Sequence, residues 1–191
     1  KSKVIMWNIR WPFAQDVRSV FKQSEADDEI LREFYGKFLK VGMTTMEKAK
    51  AIAKAVNDRM TYGKDIDIYG KLEYWASPIE THRKANDDCD GYSNLIVYVL
   101  RLFGAAPYEV FTRAGDVEAD GGGTFGHAHP IIFNREDSQF YPIEGSFYAN
   151  RAFENFGKMT LQDNQQYNKD TWFITNDLVS YSDYPLLTFV K

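Results

Sequence analysis

The chain's only cysteine, Cys89, stands in the run Asn86-Asp87-Asp88-Cys89-Asp90-Gly91-Tyr92. A thiol attacks as the thiolate, and at an ordinary pKa of about 8.5 only a few per cent is ionised at neutral pH. Chemistry at Cys89 therefore needs a base to take its proton and an acid to hold that base in one tautomer. His127 opens an apolar run, residues 127–133, and Glu144 closes the next one, residues 139–144. Sulfur, imidazole and carboxyl are the parts of thiol acyl chemistry: attack on an amide carbonyl, a thioester, and release by water. The oxyanion formed on attack is expected at the Cys89 backbone N–H, with a second donor from the preceding loop. Trp75, whose indole N–H can only donate, is the candidate for that donor.

The elements that carry these groups follow from hydrophobic period and caps. Leu95, Ile96, Val99, Leu100 and Phe103 recur at three- and four-residue steps and predict a helix over about 89–103. Asn86, Asp87 and Asp88 can accept its first N–H groups, and Gly104 stops it. The thiol then sits at the positive end of the helix, which favours its ionisation. Asp87, Asp88 and Asp90 act against that, and an ion pair with His127 is expected to outweigh them. Upstream, residues 24–39 and 44–61 read as amphipathic helices, the first with a Ser24/Asp27 cap and the second with a Thr44-x-x-Glu47 capping box. Residues 62–85 are punctuated by Gly63, Gly70 and Pro78 and read as a long loop.

Beyond Gly104 the pattern changes to strands. Residues 108–113 are rich in β-formers, and residues 115–126 read as a flexible, acidic, glycine-rich loop that can act as a lid or substrate rim. Residues 127–133 and 139–144, joined by Asn134-Arg135-Glu136-Asp137-Ser138, read as a hairpin. A short helix over 148–156 and closing strands over 172–175 and 186–190 complete the chain, with loop over 161–169. Helices first and an antiparallel sheet second define the α+β class. A single domain over 1–191 is expected, with a helical part at 1–61 and the core at 62–191.

Composition sets limits. The chain has 191 residues, 44% hydrophobic and 26% charged, which is globular rather than disordered. A net charge of −4 argues against nucleic acid as the main partner. One cysteine excludes an internal disulfide, and no apolar run is long enough to span a membrane. No signal-peptide pattern opens the chain, and a start at Lys1 rather than Met is what a removed leader or upstream segment would leave.

Three other readings concern the remaining acids and histidines. His129 shares strand parity with His127, so His127, His129, Glu144 and Cys89 could form a zinc set; a helix-start cysteine fits a nucleophile better. Asp116-x-Glu118-x-Asp120-Gly121 imitates the opening of a calcium loop, but His127 stands where the closing glutamate belongs. His82 reads as a surface residue. No metal and no cofactor is expected.

The runs Tyr74-Trp75-x-x-Pro78-x-Glu80, Asp88-Cys89-Asp90-Gly91-Tyr92 and Leu100-x-x-x-Gly104, followed by Gly126-His127-Ala128 and Tyr141-Pro142-Ile143-Glu144, resemble the transglutaminase-like superfamily. Within it they look closest to the bacterial transglutaminase-like cysteine peptidases, over residues 62–146. The resemblance implies a papain-like core in which Cys89 is nucleophile, His127 base and Glu144 orienting acid; Trp75, Asp88 and His129 are the further candidates for the oxyanion and substrate site. It also implies a protein or peptide substrate. Two positions depart from the pattern: the acid is usually aspartate, and Gly91 replaces a residue that is commonly acidic where acids near the cysteine help bind calcium. Amine transfer that cross-links proteins, or a non-catalytic module of a larger assembly, are the alternatives that this fold allows. Cell-envelope, secreted and phage-associated settings are equally compatible.

Overall fold

The computed structural model describes residues 9–10, 15–16, 19–119, 121–146 and 156–181. Two short strands, β1 (Ile9–Arg10) and β2 (Gln15–Asp16), pair antiparallel ahead of the first helix. Helix α1 (Glu25–Tyr35) is capped by Ser24, whose Oγ accepts from the Asp27 N–H at 3.1 Å, and it tightens into a 3₁₀ turn over Gly36–Phe38. Helix α2 (Thr45–Arg59) starts at a complete capping box: Thr44 Oγ1 accepts from the Glu47 N–H at 3.2 Å, and Glu47 Oε2 accepts from the Thr44 N–H at 2.8 Å. Each box satisfies N–H groups that a helix start leaves without intrahelical partners.

The stretch read as a loop departs from expectation. It holds α3 (Asp65–Tyr69) and α4 (Pro78–Lys84) and is flanked by β3 (Thr61–Tyr62) and β4 (Asn86–Asp87). Helices of five and seven residues are too short to show a hydrophobic period, so only punctuation marks them in sequence. Strand β3 pairs parallel with β4 in the register Thr61↔Asn86, Tyr62↔Asp87. That pairing folds the excursion back and lays residues 61–65 beside the turn that carries the cysteine.

Helix α5 (Cys89–Leu102) starts at Asp88, whose side chain accepts from the Asp90 N–H at 3.2 Å. It ends at Gly104 (φ 90°), after which the Ala105 N–H bonds Leu100 O at 3.0 Å. Every residue from Asp90 to Leu100 is buried, because α5 packs on α1, α2 and α4 on one side and on β5 and β6 on the other.

The sheet is antiparallel throughout, in the order β7-β6-β5-β8-β9, from β5 (Val110–Glu118), β6 (Thr124–Asn134), β7 (Gln139–Pro142), β8 (Thr171–Thr175) and β9 (Ser180–Tyr181). The fold is therefore α+β, with α5 and α2 packed against this sheet and α1 and α4 packed on α5. The supposed flexible loop over 115–126 is mostly strand: β5 and β6 pair from Val110↔Ile132 to Glu118↔Thr124. Two of its glycines serve close approach, since a Cβ on Gly115 would run into Asp170 O and one on Gly126 into the Trp172 ring, while Gly121, Gly122 and Gly123 take the positive φ of the turn between the strands. The helix expected over 148–156, apart from its last residue, and the strand expected over 186–190 lie outside the described residues. Among the described residues no helix is long and apolar enough to cross a membrane.

Candidate active site

Strand β6 runs directly under the first turn of α5. The Ser93 hydroxyl stitches the two together, lying 2.7 Å from Cys89 O and 3.0 Å from Ala128 O. The Ala128 N–H bonds the Cys89 sulfur. The residue before Ala128 is His127, which places the imidazole-bearing strand position next to the thiol. Cys89 itself is half-buried.

The His127 Nε2 lies 2.6 Å from Glu144 Oε1, with both side chains 2% exposed. Glu144 reaches this point because Ile143 N–H bonds Pro130 O at 2.9 Å, which keeps the chain beside β6 past the end of β7. Against a carboxylate acceptor, Nε2 carries the proton and Nδ1 is left as the basic nitrogen. The extra methylene of glutamate is absorbed within a buried pocket, where the Tyr167 hydroxyl also donates to Oε1, at 2.8 Å.

The electrostatics of the thiol run against the expectation from its helix position. Burial pushes the Cys89 thiol up, and the Asp88 and Asp90 carboxylates push it further; the Ala128 N–H opposes them. Desolvation and two adjacent negative charges outweigh a helix terminus, whose influence is modest.

Three other expected site residues occupy different roles. The Trp75 indole N–H donates to Glu73 Oε1 at 3.0 Å, and its ring is buried against Phe173, so the donor expected for an oxyanion is already engaged. His129 is fully buried instead of lining a substrate cleft. Its Nδ1 lies 3.1 Å from Pro130 O and its Nε2 3.2 Å from the Arg113 guanidinium. Burial first, and then Arg113, hold it well below the usual histidine range, so it is neutral. Asp88 caps α5. His82, read as a surface residue, is also buried, between the Phe34 and Tyr35 rings.

Asp88 does more than cap. Among the described residues, the one group of histidine, cysteine or acidic ligand atoms converging within 4.8 Å is Asp65, Asp88 and Asp90. The zinc set of His127, His129, Glu144 and Cys89 is not such a group; His127 is bonded to Glu144 and His129 to Arg113. Asp65 Oδ1 and Asp90 Oδ1 are buried without a hydrogen-bond partner. Burial followed by Asp88 pushes the Asp65 carboxyl up to about 7, and the same two causes push Asp90 well above the usual range. Buried carboxylates that lack donors suit a hard cation with oxygen ligands. Gly91 cannot supply another, because a Cβ there would overlap the Asp87 carboxyl, itself bonded by Tyr69 and Thr81. Asp65 lies in the stretch read as a loop, and only the β3–β4 pairing brings it to the cysteine turn.

Neither a protein-family model nor a curated protein matches the sequence. Among solved structures the chain is similar to Legionella pneumophila LapG, with a TM-score of 0.59 and 11% identity over 87% of this chain and 86% of that one. An EGTA-treated form of LapG gives 0.58 and 11% over 91% and 86%. A structure described as a TGase gives 0.46 and 17% over 64% and 32%. At this identity the likeness shows the fold alone, which this chain shares with LapG over most of its length.

Proposed function

We propose that this chain is a thiol hydrolase acting on amide bonds of proteins or peptides, with Cys89 as nucleophile, His127 as base and Glu144 as orienting acid. The observation that carries the reading is the buried His127–Glu144 pair, 2.6 Å apart, on the strand whose next residue bonds the Cys89 sulfur. Nδ1 of His127 takes the thiol proton, and the sulfur attacks the carbonyl carbon. The oxyanion that forms is held by the Cys89 backbone N–H. His127 then gives its proton to the departing amine, and a thioester remains. Water, deprotonated by the same nitrogen, attacks that thioester and releases the acid.

A divalent cation such as calcium suits the Asp65, Asp88 and Asp90 carboxylates, since Asp65 Oδ1 and Asp90 Oδ1 are buried without a donor and otherwise carry uncompensated cost. Bound there, it would supply positive charge against the two acids that now disfavour the Cys89 thiolate.

Alkylation by iodoacetamide, followed by intact mass at neutral pH in calcium, tests the reading. Cys89 should react faster in the wild type than in His127→Ala, and equal rates would overturn the assignment. Product masses with and without an added amine separate hydrolysis from amine transfer. The raised thiol is the one feature that favours a non-catalytic module, which equal rates would support.

A further inference from the structure

Glu144 Oε1 receives two hydrogen bonds, one from His127 at 2.6 Å and one from the Tyr167 hydroxyl at 2.8 Å. Tyr167 comes from the stretch between β7 and β8, a place where sequence alone shows only polar loop. Its ring lies against His129, with centroids 4.7 Å apart, and is itself buried. A loop tyrosine held in this way needs a device that keeps its backbone in place, and the neighbouring residues provide one.

That device is Arg113 on β5. It is fully buried. Its donors go to neutral acceptors: Nε to Thr171 Oγ1 at 2.8 Å, Nη2 to Lys169 O at 2.9 Å and Asp170 O at 3.0 Å, and Nη1 to His129 Nε2 at 3.2 Å. One guanidinium thus grips both the segment that delivers Tyr167 and the imidazole on which the Tyr167 ring rests. A planar five-donor group suits this task, and a lysine ammonium would not reach all four acceptors. Gly115 makes the arrangement sterically possible, since a Cβ there would strike Asp170 O and crowd the guanidinium. The register shift between Ala114 and Gly115 releases β8 from regular pairing, and residues 166–170 then follow the edge of β5 through the Asp116 N–H to Asp170 O bond at 2.8 Å and the Glu118 N–H to Gln166 O bond at 2.9 Å.

We propose that Tyr167 is a positioning residue for Glu144, delivered by a loop that Arg113 clamps to β5. It fixes which oxygen of the longer acid faces His127, a constraint that the usual aspartate obtains from its shorter reach. The catalytic part of the proposal rests on the thiol hydrolase reading; the hydrogen-bonding part does not.

The test is proton NMR of the His127 Nε2–H, identified as the downfield imidazole resonance lost in Glu144→Gln, together with the iodoacetamide rate at Cys89. In Tyr167→Phe the carboxylate loses one donor and leans on the other, so the resonance moves further downfield; a ring of the same size keeps the contact with His129. With 3-fluorotyrosine at 167, a stronger donor, the resonance moves upfield, and this chain keeps the test decisive if the phenylalanine variant does not fold. A resonance absent from the wild type, or unmoved by both changes, overturns the proposal. A resonance that responds to both, with alkylation equal in wild type and His127→Ala, upholds Tyr167 as the partner that positions Glu144 and overturns only the hydrolase reading.

Discussion

Acid should destabilise this protein through a buried histidine that takes no part in the proposed chemistry. His82 on α4 is 6% exposed, with its Nδ1 3.3 Å from the Tyr35 hydroxyl and its ring 5.0 Å from that of Phe34. Two arginines, Arg59 and Arg83, act on it from nearby. Burial first, then Arg59 and Arg83, push its pKa down to about 4 from 6.5. A base with a depressed pKa binds fewer protons folded than unfolded, so its contribution to stability is complete above about 6.5 and is lost as pH falls to about 4. At 1.36 kcal/mol per unit, a drop from 6.5 to about 4 amounts to about 3 kcal/mol. The buried acids Asp65, Asp87 and Asp90 are shifted up and act with the opposite sign over overlapping pH, so the wild-type curve alone does not isolate the term. The difference between wild type and His82→Gln does. Urea unfolding at half-unit steps from pH 4 to 7.5 should show the wild type losing about 3 kcal/mol relative to the variant on going down. A difference that stays flat across that window would refute the reasoning, since it would mean that His82 is solvated enough to titrate normally.

Calcium should raise the melting temperature, more at pH 8 than at pH 6, because binding requires ionised carboxylates and Asp65 is pushed up to about 7. Thermal melts with calcium or EGTA check this, and Asp65→Asn and Asp90→Asn should each remove the effect. Gly91→Ala should cost about 1–3 kcal/mol by forcing a methyl group into the Asp87 carboxyl, read from the urea midpoint; an unchanged midpoint would show that the cysteine turn can shift. Glu144→Gln should slow peptide hydrolysis on the order of a hundredfold or more with a near-native melting temperature, and unchanged turnover would mean that another group orients His127.

The structure resolves a conflict present in the motif itself. A cysteine at a helix start gains from the terminus, but the residues that flank it, Asp88 and Asp90, hold it up. Both acids belong to a group completed by Asp65, with two oxygens lacking donors. Asp65 adds to the negative charge beside the nucleophile, and a cation held by the three, as proposed, would offset it.

Local rules were enough for much of this chain. The Thr44 capping box, the Ser24 and Asp88 caps, the Gly104 stop and the hairpin of β6 and β7 each depend on residues a few positions apart, so sequence spacing carries them. Cys89 could be placed at the start of α5 for the same reason, whereas β6 begins at Thr124, before His127, and Glu144 lies just past the end of β7. Helices α3 and α4 were not, being too short to repeat. The glycines at 115 and 126 looked like flexibility, whereas they admit Asp170 and Trp172, neighbours some fifty residues on. Burial decided the histidines: His82 and His129 carry no local mark that separates them from surface residues.

Sequence by itself determined which side chains could act and on which elements they ride, since caps, periods and turns are contacts within one or two turns of chain. Only the tertiary structure decided their environment: that Glu144 shares its oxygen between His127 and Tyr167, that Arg113 holds the loop supplying Tyr167, and that Asp65 joins Asp88 and Asp90. Solvation and charge depend on every group within a few ångströms, whatever its distance along the chain, and those neighbours are set by how the sheet and helices pack.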